Sequence, residues 1–200
     1  MVERIVFATS NEDKMKEIRQ ILADLGTEIL SMREAGISAD IVEDGSTFEE
    51  NAIIKARAVA KLTEAVVLAD DSGLEVDYLG GQPGIYSARF LGEDTPYSIK
   101  NRYIIDSLAN AKGSERSARF VCAIAAVLPD GELFTVQASV EGQIAFEEEG
   151  EGGFGYDPIF YLPEYGTTTA GLSMEEKNHI SHRGKALMLM KEKLKQIYGR

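Results

Sequence analysis

ARFVCAIAAVLPDGELFTVQASVEGQIA, residues 118–145, is the stretch whose reading decides the fold. Two long β-rich runs, ARFVCAIAAVL and LFTVQASVEGQIA, meet at Pro129-Asp130-Gly131, a sequence suited to a hairpin turn. Upstream of it, strand-like and helix-like patterns alternate, as they do where a parallel sheet is being built. Both together predict an α/β fold with a mixed sheet.

Working back from the hairpin, Thr95-Pro96 opens a helix to about residue 111, with Pro96 at its first position. VVLAD and LEVDYL read as two short strands flanking Asp71-Ser72-Gly73. Thr47 caps a helix over roughly 48–64, with Glu50 at the capping-box position and a small-residue face of Ala52, Ala56, Val59 and Ala60. Residues 32–46 are irregular and acidic, and TEILS before them is a short strand. SNEDKMKEIRQILADLG is a helix capped by Ser10 or Asn11, with Met15, Ile18, Leu22 and Leu25 on one stripe and Gly26 as its stop. ERIVFAT at the start is a buried strand.

Forward from the hairpin, EEEGEGG at 147–153 reads as a mobile loop. A last helix over about 183–198 turns Leu187, Met190, Leu194 and Ile197 to the core. No internal repeat or interdomain linker interrupts the chain, so residues 1–200 read as a single domain.

Composition narrows the function. The 200 residues are 44% apolar, enough for a substantial core, and carry a net charge of −12. That charge disfavours nonspecific binding to nucleic acid or an anionic membrane. No run reaches the ~18 apolar residues of a membrane span, and the N-terminus lacks a signal-peptide apolar region. Cys122, the one cysteine, sits in an apolar run and reads as a buried small hydrophobe. A cytoplasmic location is expected. A small polyanion remains a possible ligand if lysines, arginines or a divalent cation gather locally.

Four clusters and one C-terminal region carry candidate chemistry. Thr9, Ser10, Asn11, Glu12, Asp13 and Lys14 lie at a strand-to-helix turn, where free backbone N–H groups can meet phosphate. No GxxxxGK[ST] is present, and a plain capped helix would read the same way. Glu43 stands in a turn where a carboxylate can face a cation, and Lys55 shares a helix face with Asn51. Asp70 and Asp71 are adjacent in extended chain and need not point the same way; one could bind Mg²⁺ or activate water while the other anchors the turn. GGQPGIYSARF at 80–90 holds Ser87 and Arg89 as buried-site candidates.

The C-terminal region, GGFGYDPIF at 152–160 and EEKNHISHRGKAL at 175–187, suits a purine nucleotide. Glycines let backbone approach a flat ligand. A ring can stack on Phe154, polar edges can meet Asp157 or Arg183, and Lys177 can meet phosphate. His182 reads as a base- or phosphate-contacting group rather than a zinc ligand.

Taken in order, ATSNEDK, EDGSTFEENAIIKA, ADDSGLEVDYLGGQPGIYSAR, GFGYDPIF and EEKNHISHRGKA resemble the inosine/xanthosine triphosphate pyrophosphatase family, from the first strand to the last helix. The resemblance implies an elongated mixed-sheet α/β fold with flanking helices and two lobes around a nucleotide cleft, in a homodimer. It implies Mg²⁺-dependent cleavage between the α- and β-phosphates of ITP, dITP or XTP. Residues Thr9 to Lys14 would contact phosphates and Lys55 would help neutralise them. Glu43 and Asp71 would serve the metal, with Asp71 also the base, and Ser72 would bind substrate. Phe154, Gly155, Tyr156, Asp157, Lys177, His182 and Arg183 would hold the base and its sugar-phosphate. Two departures stand out: Glu148-Glu149 replaces the family's usual Pro-Arg, and Gly171 replaces its usual glutamate, which would loosen the preceding loop. A pyrophosphatase for modified pyrimidines and a nonenzymatic nucleotide-binding regulator remain as rivals.

Overall fold

The structure, a computed structural model, describes residues 4–199. Glu3 of the expected first strand lies outside them. The elements run β1 (Arg4–Phe7), α1 (Glu12–Leu22), β2 (Glu28–Ser31), α2 (Phe48–Ala60), β3 (Val66–Val76), β4 (Gln82–Pro83), α3 (Tyr97–Ser107), β5 (Ser117–Val127), β6 (Leu133–Ile144), β7 (Phe160–Leu162), β8 (Thr167–Thr168), α4 (Met174–Ile180) and α5 (His182–Tyr198).

The strands form one mixed sheet in the order β2-β1-β3-β5-β6-β7-β8, with β4 on β3. β1 pairs parallel with both β2 and β3, while β6–β7, β7–β8 and β3–β4 are antiparallel. The turn between β5 and β6 closes through Gly131 N–H to Leu128 O at 2.9 Å and Leu128 N–H to Glu132 O at 2.9 Å. The mixed α/β expectation therefore holds.

The chain divides into two compact units. One comprises the residues up to Asp71, Cys122–Ala138 and those from Arg183 onward; the other comprises Ser72–Val121 and Ser139–His182. Each has its own core. In the first, Ile5, Phe7, Met15, Ile18, Leu68, Ile124, Leu187 and Met190 are buried together. In the second, Leu74, Val76, Ile104, Phe120, Ile144, Ile159 and Phe160 are. Cys122 is fully buried, and desolvation pushes its thiol up to about 12, so it stays a protonated, inert packing group.

Local rules explain most boundaries. Asn11 is the cap of α1, its Oδ1 accepting from the backbone N–H of Asp13 and Lys14 at 3.0 and 3.1 Å. Gly26, at φ 63°, ends the turn that follows it. Thr47 Oγ1 accepts from Glu50 N–H at 3.1 Å and caps α2.

Several expectations are corrected. Glu50 does not close a capping box on Thr47; its Oε2 accepts instead from the Ser46 N–H and hydroxyl at 2.7 and 2.6 Å. α2 stops at Ala60 and α3 at Ser107, each about four residues early. The Asp71-Ser72-Gly73 turn is absent: one strand of 11 residues runs through it. Hydrophobic neighbours bury that strand almost throughout, and strand pairing there outweighs local turn preference. Residues 147–153 are irregular but tied down, with Glu149 N–H on Pro158 O and Gly152 N–H on Ala170 O, both at 2.9 Å. At Gly171 the Thr167 hydroxyl packs where a Cβ would stand. Ile197 is exposed rather than in the core. The short helix α4, with its Ser173–Glu176 capping box, went unpredicted. No helix among the described residues is long and apolar enough to cross a membrane.

Candidate functional site

In the first unit, the end of β1 delivers the chain to the cap of α1, and the first turn of α1 places Lys14 beside β3. The Lys14 ammonium meets both oxygens of Asp70, at 3.1 and 3.0 Å. Arg183, at the start of α5, donates from Nη1 to Glu17 Oε2 at 2.6 Å and lies 3.4 Å from Asp70 through Nε. Glu17 is one helical turn after Lys14, so the buried Glu17, Arg183 and Asp70 and the half-buried Lys14 form one alternation of charge. Burial alone would push Asp70 up. The cations Lys14 and Arg183 outweigh it and hold its carboxyl well below the usual range. Burial likewise opposes the charge of Arg183, and Asp70 and Glu17 overcome it and raise its pKa.

Asp71 faces other partners. Its Oδ1 accepts from Lys55 Nζ at 3.0 Å and its Oδ2 from Asn51 Nδ2 at 3.3 Å. Lys55 also donates to Glu43 Oε2 at 2.7 Å. Asn51 and Lys55 come from one face of α2, and Asn51 Oδ1 is fixed by Gly45 N–H at 2.9 Å. Desolvation raises the Asp71 pKa against the pull of Lys55, with Glu43 adding to the rise. Burial would lower Lys55, but the carboxylates of Asp71, Asp70 and Glu43 raise it.

The remaining residues of the first turn divide. Thr9 Oγ1 accepts from Asn11 N–H at 3.2 Å, and Ser10 is exposed. Glu12 pairs with Arg33 at 2.6 Å and Asp13 with Lys16 at 2.9 Å, both on the exposed side.

In the second unit, Asp157 organises the glycine-rich loop. Its Oδ2 accepts from Phe154 N–H and from Lys177 Nζ, each at 2.7 Å, and its Oδ1 accepts from the Thr169 hydroxyl at 2.9 Å. Gly153, at φ 70°, leaves room for the Asp157 carboxylate, which a Cβ would strike. Lys177 Nζ lies 4.8 Å from the centre of the half-buried Phe154 ring. Tyr156 is buried, its hydroxyl donating to Ser87 O at 2.8 Å. Ser87 itself donates to Gly84 O and accepts from Leu74 N–H, so it braces the loop, while Arg89 is exposed and lies against Tyr86. His182 is buried and stacked on Phe120, centroids 4.7 Å apart and planes 14° off parallel. Ser72 follows Asp71 along β3, half-buried.

Thus Lys14, Asp71, Lys55, Glu43 and Arg183 fall in one charged network, and Phe154, Gly155, Tyr156, Asp157 and Lys177 gather in one loop system. Sequence reading placed Asn51 on the face of Lys55 but did not foresee its bond to Asp71, and it missed Glu17 and Thr169 as partners of these groups. Helical spacing was the available signal for Glu17, three residues past Lys14.

Among the described residues no three His, Cys, Asp or Glu side chains form a metal cage. Glu43 and Asp71 both contact the Lys55 ammonium, and carboxylates of this kind could hold a divalent cation that completes its shell with water and substrate phosphate.

The dITP/XTP pyrophosphatase of Clostridium perfringens is 46% identical over 202 residues, covering 98% of this chain and 99% of that protein. The dITP/XTP pyrophosphatase of Desulforamulus reducens is 48% identical over 195 residues, covering 98% and 97%. The solved structure of the Staphylococcus aureus Ham1 protein superposes with a TM-score of 0.86 at 43% identity, over 96% of this chain and 98% of that one. The model of the Ham1 family matches residues 5–193, nearly the whole chain, and with relatives this similar end to end, the chain belongs to the Ham1 family.

Proposed function

We propose that this protein hydrolyses non-standard purine nucleoside triphosphates, ITP, dITP and XTP, to the nucleoside monophosphate and pyrophosphate. Residues 1–200 act as one pyrophosphatase domain, with Mg²⁺, in a cytoplasmic homodimer that clears such nucleotides from the pool. The observation that carries the reading is the Asp71 carboxylate, held by Lys55 and Asn51 next to the Asp70–Lys14 pair.

Hydrolysis of a phosphoanhydride needs charge neutralisation and a positioned water more than covalent chemistry. Lys14 and Lys55 present ammonium groups for phosphate oxygens. Asp71 offers a carboxylate that can take the proton of the attacking water. Asn51 keeps its carboxylate oriented. Glu43 and Asp71 would hold Mg²⁺, which when bound neutralises phosphate charge.

We place the base at the Phe154–Asp157 loop. Phe154 offers a face for stacking, and the polar edge of a 6-oxo purine needs hydrogen-bond donors, which Lys177 and loop N–H groups can supply. A site of that kind accepts a 6-carbonyl and leaves a 6-amino group unpaired. We assign Arg183 to holding Asp70 and Glu17, the partners its guanidinium meets.

Product analysis with ITP, dITP, XTP, GTP and ATP in Mg²⁺ tests the reading. IMP and pyrophosphate from ITP are expected, with ATP and GTP poor substrates. IDP and single phosphate as primary products would overturn it.

A further inference from the structure

We propose that Glu148 and Asn101 form a latch that sets the position of the Phe154–Asp157 loop, so that Glu148 is a positioning residue for base binding; the base-binding part rests on the assignment of that loop above. Asn101 lies in α3 and is buried. Its Nδ2 donates to Glu148 Oε1 at 2.8 Å and to the Gly155 carbonyl at 3.2 Å. Both partners are acceptors, so only the amide nitrogen can face them and the orientation of the side chain is fixed.

One turn earlier, Tyr97 backs the same loop. Its ring lies 3.5 Å from where a Cβ of Gly155 would be and meets Tyr156 edge-on, with centroids 5.1 Å apart. α3 therefore supplies both an aromatic floor and a hydrogen-bonded tether. The tether acts where the backbone is least constrained: Gly153 and Gly155 have φ of 70° and 69°, a region that costs glycine little and leaves it many alternatives. Glu148 orients the Asn101 amide, and the amide holds the Gly155 carbonyl beside Phe154.

The test measures two things on the full protein: hydrogen exchange of the Phe154, Gly155, Tyr156 and Asp157 amides without ligand, and KM and kcat for ITP. Glu148→Ala is expected to speed exchange of these amides and raise KM, each about 3- to 10-fold, with kcat within about 2-fold, because a lost tether weakens binding uniformly. Glu148→Gln keeps an acceptor for Asn101 and is expected to restore both to within about 2-fold. Glu148→Ala combined with Asn101→Ala should be no worse than Asn101→Ala alone, since both break one linkage. Unchanged exchange in Glu148→Ala overturns the latch. So does a Glu148→Gln protein as impaired as Glu148→Ala, which would mean that charge rather than the hydrogen bond acts. Exchange that responds while KM does not would overturn the positioning role. A wild-type protein that leaves ITP intact would instead overturn the functional reading, and the exchange measurement would still judge the latch.

Discussion

Asp70 and Asp71 are neighbours in β3 whose carboxylates serve different lysines: Asp70 accepts from Lys14 and Asp71 from Lys55. Side chains alternate along a strand, so adjacent aspartates are sent to different surroundings. Asp70 meets enough positive charge to overcome its burial and is held firmly ionised. Asp71 meets less, and burial prevails. One residue type at consecutive positions thus becomes a structural anion and a candidate base.

Asp71→Asn should separate activity from stability. The substitution keeps shape but removes the proton acceptor and metal-ligating charge proposed for this position. Turnover of ITP is expected to fall about 10²-fold or more. The raised pKa means that the folded state favours the protonated carboxyl, so any stability from it is present below the unfolded value and lost as pH rises through the folded one. Lys55 keeps its contact with Glu43 in the variant, so Asp71→Asn should stay folded, with a melting temperature within a few degrees of wild type by calorimetry. Near-normal turnover by the folded variant would remove Asp71 from both roles.

Much of this arrangement was legible in the sequence. The stripe Met15, Ile18, Leu22 is a period-3.6 signal, and these residues are fully buried. The pairing of Lys55 with Glu43 and Asp71 was not readable, because it depends on β3 running unbroken through Asp71-Ser72-Gly73, and turn chemistry argued for a break. The contacts of Arg183 with Glu17 and Asp70 were not readable either, because they join a helix start to residues more than 100 positions away in sequence.

Asp70→Asn should show the opposite balance to Asp71→Asn. It leaves Arg183 and Lys14 without the anion they share, and breaking a buried ion pair costs about 3–5 kcal/mol. The folded pKa of Asp70 is lowered, so its stabilising contribution is complete above the unfolded value of about 3.9 and is lost as pH falls through the folded value. Urea midpoints should thus differ most between wild type and Asp70→Asn at pH 7, and the gap should narrow progressively below about pH 4. A gap that stays constant across that range would mean that the Asp70 charge contributes nothing to the fold.

Phe154→Ala tests whether the second unit takes the base. The ring is half-buried and contacts Lys177, while the loop is held by the Asp157 carboxylate and the Phe154 N–H, which alanine retains. Folding should survive, with a melting temperature within a few degrees of wild type. Base–aromatic stacking is worth about 1–3 kcal/mol, so kcat/KM for ITP should fall roughly 5- to 100-fold. Phe154→Tyr keeps a stacking face and should recover most of the loss. If Phe154→Ala instead lowers the melting temperature and leaves kcat/KM untouched, the ring is a packing element and the purine is bound elsewhere.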